Sequence, residues 1–137
     1  MIVADTGAVI ALVDADDVHH RALRKVFESD PDRWILPWAV LPEIDYLLMS
    51  HVGVKAEEAF VYDLAKGNYR VAWGDDADLE RAHEICRKHR DLRLGLVDAT
   101  VMAVAERLKV NAIATLDLRH FAAVRIKGRP KLLPRDL

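Results

Sequence analysis

The sequence predicts an α/β fold in which helices cover both faces of a parallel sheet. Short apolar runs of strand length alternate with amphipathic segments of helical spacing along the 137 residues. This alternation is typical of parallel strands that are joined by helical crossovers. The chain length suits one hydrophobic core, so we expect a single domain that spans residues 1–137.

Two strands are predicted in the first quarter of the chain. Residues 1–5 (MIVAD) form a short apolar run that ends in an acid, and residues 33–37 (RWILP) form the second run. A short helix is expected to begin after the first strand, and residues 17–29 predict an amphipathic helix that Asp16 or Asp17 can cap. The residues that share its apolar face are Val18, Ala22, Val26 and Phe27.

A third helix is predicted around residues 39–51 (AVLPEIDYLLMSH), whose apolar residues recur at helical spacing. Pro42 is tolerated only in the first turn of a helix, so this helix starts near Trp38 to Leu41. Gly53 is expected to end it.

The second half of the chain continues the same alternation. It contains a helix closed by Gly67, a strand, a helix with acids in its first turn and bases in its last, a further helix, and two final strands. In that order, these elements are residues 55–67, 69–73, 75–91, 97–110, 111–116 and 130–134.

Composition and charge exclude several classes of protein. No apolar run is long enough to cross a bilayer, and no secretory signal is visible, so we expect no membrane association. Cys86 is the single cysteine, which rules out an internal disulfide and fits a reducing cytoplasm.

Charge is distributed unevenly along the chain. The net charge of −2 does not mark a nucleic-acid binder. However, residues 119–137 contain six Lys or Arg residues and one acid, Asp136. On charge alone, this basic segment is either a solvated tail or a surface that contacts phosphates.

Several carboxylates are expected at the carboxyl ends of the strands, where parallel α/β sheets bind ligands. Asp5 ends the first strand, Asp117 follows the strand at residues 111–116, and Asp98 lies in the first turn of a helix that begins at the same end. Each of these acids alone is explained by helix capping. Glu43 or Asp45 is a fourth candidate, because each borders an apolar helical stripe, and helical spacing does not choose between them.

Four converging carboxylates would repel one another and raise one another's pKa values. A divalent cation that prefers oxygen ligands, Mg²⁺ or Mn²⁺, resolves this repulsion. One or two such ions activate water and stabilise the charge that develops during phosphoryl transfer. The acids therefore predict metal-dependent chemistry at a phosphate.

Other phosphate-directed α/β proteins fit the sequence less well. A haloacid-dehalogenase-like phosphatase needs a second Asp two residues after Asp5, where Gly7 stands. A response-regulator receiver needs an acid pair after the first strand and a lysine after a late strand, and neither is placed correctly.

Four segments in this order resemble a PIN-domain nuclease. They are VADTGAVIAL with Asp5, PWAVLPEIDYLL with Glu43, LGLVDATVMAVAERL with Asp98, and NAIATLDLRHF with Asp117. Each segment alone is a weak signal, but all four at this spacing are specific and cover nearly the whole chain. The length and the TLDLRHF ending most closely resemble the VapC toxins of prokaryotic toxin–antitoxin pairs.

The resemblance implies a three-layer α/β/α sandwich around a parallel sheet of about five strands. It also implies an Mg²⁺-dependent endoribonuclease, with Mn²⁺ as the alternative metal. The resemblance assigns the catalytic and metal-binding roles to four acids and favours Glu43 over Asp45. Those acids are Asp5, Glu43, Asp98 and Asp117.

The resemblance also assigns supporting residues. Thr6 occupies the small polar position after the first acid, and the hydroxyl of Thr115 is expected to orient Asp117 or a water. The chain departs from the family pattern at Pro42, before Glu43, and at Leu118, after Asp117. Neither departure removes an acid.

The residues after Asp117 are expected to meet RNA phosphates. Arg119 suits bidentate phosphate contact, and His120 either contacts the RNA or holds the turn. Phe121 is expected to fill the core. The resemblance makes an RNA-facing role for the basic segment more plausible than charge alone does.

The implied function is that of a toxin. Such a toxin cleaves structured RNA, a tRNA or an rRNA loop, leaves 3′-hydroxyl and 5′-phosphate ends, and arrests translation. The implied partners are the RNA, a VapB-type antitoxin that blocks the acidic site, and a second copy of the chain in a homodimer. DNA is contacted only indirectly, through the antitoxin. Two alternatives stay open: a PIN nuclease of RNA maturation and a non-catalytic RNA-binding module.

Overall fold

The computed structural model describes residues 1–137 and contains a five-stranded parallel sheet. The strand order is β3-β2-β1-β4-β5, and all four neighbouring pairs are parallel. The strands are β1 (Ile2–Ala4), β2 (Trp34–Pro37), β3 (Arg70–Ala72), β4 (Ala112–Ala114) and β5 (Lys131–Leu133).

Seven α-helices connect the strands, and no helix is long and apolar enough to span a bilayer. The first four precede β3, and the last three follow it. They are α1 (Thr6–Val13), α2 (His20–Ser29), α3 (Leu41–Leu47), α4 (Val54–Ala65), α5 (Asp76–Lys88), α6 (Leu96–Arg107) and α7 (Leu118–Phe121).

The strand order reverses between β1 and β4. From β1 the chain adds β2 and β3 on one side, and then returns to add β4 and β5 on the other. Right-handed crossovers therefore place α1 to α4 on one face and α5 to α7 on the opposite face. The predicted three-layer α/β/α sandwich is confirmed, and its topological switch point, where such folds bind ligands, lies between β1 and β4.

The central strands are buried on both faces. Val3, Ala4, Ile113 and Ala114 are fully inaccessible to solvent, and one hydrophobic cluster joins both helical layers to the sheet. This packing fixes the carboxyl ends of β1 and β4 relative to each other, because a one-residue slip of either strand would reverse its side chains.

The predicted start of α2 is wrong by three residues. The helix begins at His20, Val18 is 88% exposed, and neither Asp16 nor Asp17 caps it. The Asp17 carboxylate instead accepts a hydrogen bond from the backbone N–H of His19 at 2.8 Å. Such local side-chain bonds compete with helix formation, so residues 14–19 form a turn.

The start of α3 agrees with the sequence. A 3₁₀ turn at Trp38–Val40 precedes it, and Pro42 lies in its first turn. After Leu47 the chain widens into a π-helical turn, Leu48–Val52, before it ends at Gly53 with φ of 142°. The widened turn and the short helix α7 were not apparent from the sequence.

Candidate active site

The first acid of the site is held rigidly at the end of β1. Asp5 caps α1, is 5% exposed, and accepts hydrogen bonds from the Thr6 backbone N–H at 2.8 Å and the Thr115 hydroxyl at 3.0 Å. Ala4 pairs with Ala114 across the sheet, which brings Asp5 beside the end of β4. The fold therefore fixes the position of this carboxylate before any ligand arrives.

Thr115 connects the ends of the two strands. Its hydroxyl donates to Asp5 Oδ2 and accepts from the backbone N–H of Asp117 at 3.1 Å. Thr115 is 1% exposed, so this link is shielded from water. The hydroxyl orients the Asp5 carboxylate and fixes the backbone of Asp117.

A second cluster forms where α6 and α7 meet. The His120 ring Nδ1 lies 2.8 Å from Asp98 Oδ2 and 2.9 Å from Asp117 Oδ2. Asp117 also caps α7 by accepting from the backbone N–H of His120 at 3.2 Å. One ligand atom from each of these three residues lies within 4.8 Å of the other two.

The structure separates the two candidate acids of α3. Glu43 lies in the first turn of α3, and its charge contributes to raising the pKa values of both Asp5 and Asp98. Asp45 instead faces Glu57 on α4, where burial and then Asp45 raise the pKa of Glu57. Of the two, Glu43 is the one whose charge acts on the other acids.

The electrostatics of the site favour proton uptake. Burial, followed by the charge of Asp98, raises the pKa of Asp5 to about 7, although the bonds from Thr6 and Thr115 partly offset this effect. Burial also raises the pKa of Asp98, against the opposing effect of its hydrogen bond to His120. The hydrogen bond to Asp98 in turn raises the pKa of His120. The site holds more negative charge than its surroundings neutralise.

The residues present fit a hard divalent cation. Carboxylate oxygens dominate the donor set, and one imidazole nitrogen lies among them. The Thr6 hydroxyl beside Asp5 is buried and has no hydrogen-bond partner within the protein. A cation with its water shell would stabilise the ionised acids and give this hydroxyl a partner.

The remaining sequence-predicted residues fall into two groups. Phe121 is 2% exposed, so its predicted place in the core is confirmed, whereas Arg119 is exposed on α7. The sequence did not reveal that His120 bridges two acids. Its spacing of three residues from Asp117 was the available signal, since residues three apart on a helical turn are neighbours.

Comparisons with known proteins identify the family of this chain. The PIN domain profile matches residues 2–127. Ribonuclease VapC26 of Mycobacterium tuberculosis is 37% identical over 127 residues, which cover 93% of this chain and 94% of that protein.

Solved structures share the fold over most of the chain. The M. tuberculosis toxin VapC20, described as cleaving the sarcin-ricin loop, superposes with a TM-score of 0.74 at 26% identity, covering 82% of this chain and 87% of that one. DNA-bound VapBC from Salmonella typhimurium gives a TM-score of 0.72 at 20% identity and coverages of 96% and 95%. The chain therefore belongs to the PIN-domain family and, within it, to the VapC ribonucleases.

Proposed function

We propose that this chain is the toxin of a type II toxin–antitoxin system and acts in the cytoplasm. Its activity is Mg²⁺- or Mn²⁺-dependent endonucleolytic hydrolysis of structured RNA. The observation that carries this proposal is the convergence of acids at the switch point of the sheet. Asp5, Asp98 and Asp117 gather there around Thr115 and His120, and Glu43 approaches from α3.

Each acid has a distinct part in holding the metal. Asp5 supplies a buried, oriented carboxylate, Asp98 and Asp117 supply more accessible oxygens, and Glu43 adds negative charge from the opposite layer. When bound, the metal supplies an activated water and stabilises charge on the leaving 3′-oxygen. Thr115 keeps Asp5 in place, and Thr6 offers a hydroxyl to ordered water.

His120 and Arg119 place positive charge beside the acids. His120 holds Asp98 and Asp117 together when no metal neutralises them, because its raised pKa favours the charged imidazolium. Arg119 is exposed on the same short helix and can contact a phosphate beside the acids. Thus α7 presents cations next to the carboxylates.

The substrate class follows from the relatives. VapC26 is a ribonuclease, and VapC20 is described as cleaving the sarcin-ricin loop, so an rRNA loop or a tRNA is the proposed target. Hydrolysis of such an RNA would arrest translation. An RNA-maturation nuclease would share every acid, and the two functions differ only in their effect on growth.

A VapB-type antitoxin is the proposed partner, and a homodimer is the proposed assembly. Chains in the solved structures of VapBC and FitAcB share the fold of this chain. Large apolar side chains are exposed on α3, the π-helical turn and α4, and they offer a protein partner an apolar surface. They include Tyr46, Met49, Val54, Val61 and Tyr62.

RNA cleavage by the purified protein tests the enzymatic proposal. Total cellular RNA is incubated with Mg²⁺, Mn²⁺ or EDTA beside an Asp98→Asn variant, after removal of any co-purified antitoxin. We expect discrete metal-dependent fragments that the variant does not produce. Intact RNA with both metals and folded wild-type protein would reject the nuclease and favour a binding module.

Growth measurements separate a toxin from a processing nuclease. Induced wild-type protein should arrest growth, Asp98→Asn should not, and co-expression of the small protein encoded beside it should restore growth. Cleavage in vitro without growth arrest would favour RNA maturation.

A further inference from the structure

A basic groove runs along the β5 side of the molecule, away from the acids. We define it by Arg33, Lys109, Arg125, Lys127, Arg129 and Lys131, all of which are exposed. It comprises three adjoining cavities, the largest of about 1080 Å³, and Arg129 lines all three. The groove is therefore a continuous concave surface.

The backbone of the segment between α7 and β5 shapes this groove. The N–H of Lys127 donates to Glu106 Oε1 at 3.1 Å, and the N–H of Lys131 donates to the carbonyl of Asn111 at 3.0 Å. Arg129 has φ of 48°, a left-handed conformation that costs a non-glycine residue energy. The predicted basic segment is thus a fixed loop and an edge strand and not a solvated tail.

No acid lies within ion-pair distance of the six cations that define the groove, although Lys127 contributes to lowering the pKa of Glu106, and Lys131 to lowering that of Asp136. None of the six forms an ion pair, whereas the neighbouring Arg81 pairs with Glu84 and Glu106, and Arg135 pairs with Asp136. Glu106 is the one acid that lines the cavities, and Arg81 already engages it. Clustered cations of this kind repel one another unless an anion lies between them.

The groove extends from the amino edge of the sheet to the end of α7. One end lies at the amino edge of the sheet, where Lys109 and Lys131 flank the starts of β4 and β5. The other end reaches Phe121 and Ala122, at the end of the helix that carries His120. The groove therefore ends at the short helix that Asp117 caps, so an RNA longer than the groove can extend from it toward the acids.

We propose that the basic groove binds the phosphate backbone of the RNA substrate and holds it outside the acidic site. This proposal rests on the ribonuclease function above and names a second contact surface for the same substrate. RNA is favoured over an acidic peptide because the unpaired cations extend along the groove, as a continuous polyanion requires. The groove would contribute affinity without reading sequence.

Charge-matched variants test the groove without involving cleavage. The groove variant is Lys127→Gln/Arg129→Gln/Lys131→Gln. The control is Arg21→Gln/Lys55→Gln/Lys66→Gln, at cations on α2, on α4 and directly after α4 that are also exposed and form no ion pair. Both remove three charges, and the groove variant keeps the backbone bonds that shape the loop. Binding of a fluorescein-labelled RNA hairpin is followed by anisotropy in EDTA over a range of salt.

The groove variant should bind the hairpin at least about tenfold more weakly at 50 mM salt. The negative slope of the logarithm of the association constant against the logarithm of salt concentration should become shallower by about 2. The control should retain most of the wild-type affinity. Equal losses in the two variants, or none, would overturn the proposal. Displacement of the RNA by polyglutamate at equal charge concentration would also overturn it, in favour of an acidic protein partner. Because no metal is present, the outcome is independent of whether the protein cleaves RNA.

Discussion

At the scale of single residues, the site is a set of carboxylates that the fold keeps close despite their repulsion. Asp5 is the extreme case, since burial raises its pKa to about 7. Because the pKa of Asp5 is higher in the folded than in the unfolded state, the ionised acid destabilises the metal-free protein. The free energy of unfolding therefore rises as pH falls through 7 and the acid takes up a proton. Function therefore opposes stability at this position.

Asp5→Asn tests this opposition. The variant removes a buried charge but keeps an oxygen that can accept from the Thr6 N–H. In EDTA at pH 8 the free energy of unfolding should rise by about 2 kcal/mol, and the gain should shrink as pH falls through 7 toward 4. Urea unfolding at several pH values measures it. A loss of stability at pH 8 would contradict the assigned electrostatics.

The pair Glu43 and Asp45 supplies a matched comparison on one helix. Glu43→Gln should lower the rate of RNA cleavage by at least about 100-fold, because it removes a proposed metal-binding acid. Asp45→Asn should cleave at nearly the wild-type rate, because Asp45 faces Glu57 and not the acids. Initial rates of cleavage of one RNA substrate compare the two variants. Equal losses of rate would mean that Glu43 and Asp45 do not differ in their role.

Arg119 is expected to act on the substrate and not on the fold. It is exposed and forms no ion pair, so Arg119→Ala should leave the unfolding midpoint unchanged. The rate of cleavage should fall. The slope of the logarithm of this rate against the logarithm of salt concentration should become shallower by about 1, which corresponds to the loss of one phosphate contact. The rate of cleavage between 50 and 200 mM salt checks this, and an unaltered salt dependence would reject the role.

At the scale of elements, the sequence predicted all five strands but misplaced some helix boundaries. Parallel strands that are buried on both faces consist of continuous apolar runs, so these strands can be recognised in the sequence. The start of α2 depends on a local hydrogen bond between Asp17 and His19. The short helix α7 depends on the carboxylate of Asp117, which caps it. Periodicity carries no signal of such short-range bonds.

The pairing of α5 with α6 includes an ion pair between a buried acid and an exposed arginine, which periodicity also does not reveal. Asp78 is 2% exposed and accepts two hydrogen bonds from Arg107, at 2.7 and 3.0 Å. Arg107→Leu leaves this carboxylate without a cation, with the backbone N–H of Asp75 as its remaining donor, and should lower the free energy of unfolding by about 2–4 kcal/mol. Asp78→Asn/Arg107→Leu should recover most of the loss, as urea unfolding would show. An equally unstable double variant would mean that the loss reflects packing.

At the scale of the whole molecule, the acids were predictable because they follow strands and helix starts that meet at one edge of the sheet. Asp5 follows β1 and Asp117 follows β4. These two acids lie far apart in the sequence and come close together because β1 and β4 are neighbours at the switch point. The basic groove was not located in this way. Arg33 ends a 3₁₀ turn, Pro31–Arg33, that precedes β2, and Lys109 lies in the turn before β4. The other residues lie in the loop before β5 and at the start of β5, and only the folded chain brings the three regions together.

The molecule thus presents RNA with two opposite charges, an acidic site and a basic groove. Without metal, the acids should repel the phosphates that the groove attracts, so Asp98→Asn/Asp117→Asn should bind an RNA hairpin about tenfold more tightly than wild type in EDTA at low salt. Adding Mg²⁺ should raise the wild-type affinity and leave the variant nearly unchanged, since its charge is already reduced. Anisotropy titrations with and without Mg²⁺ measure both effects, read before cleavage is detectable and with the hairpin shown to be intact on a denaturing gel. If neutralising the acids left RNA affinity unchanged, the RNA held by the groove would not reach the acidic site, and the two surfaces would serve different ligands.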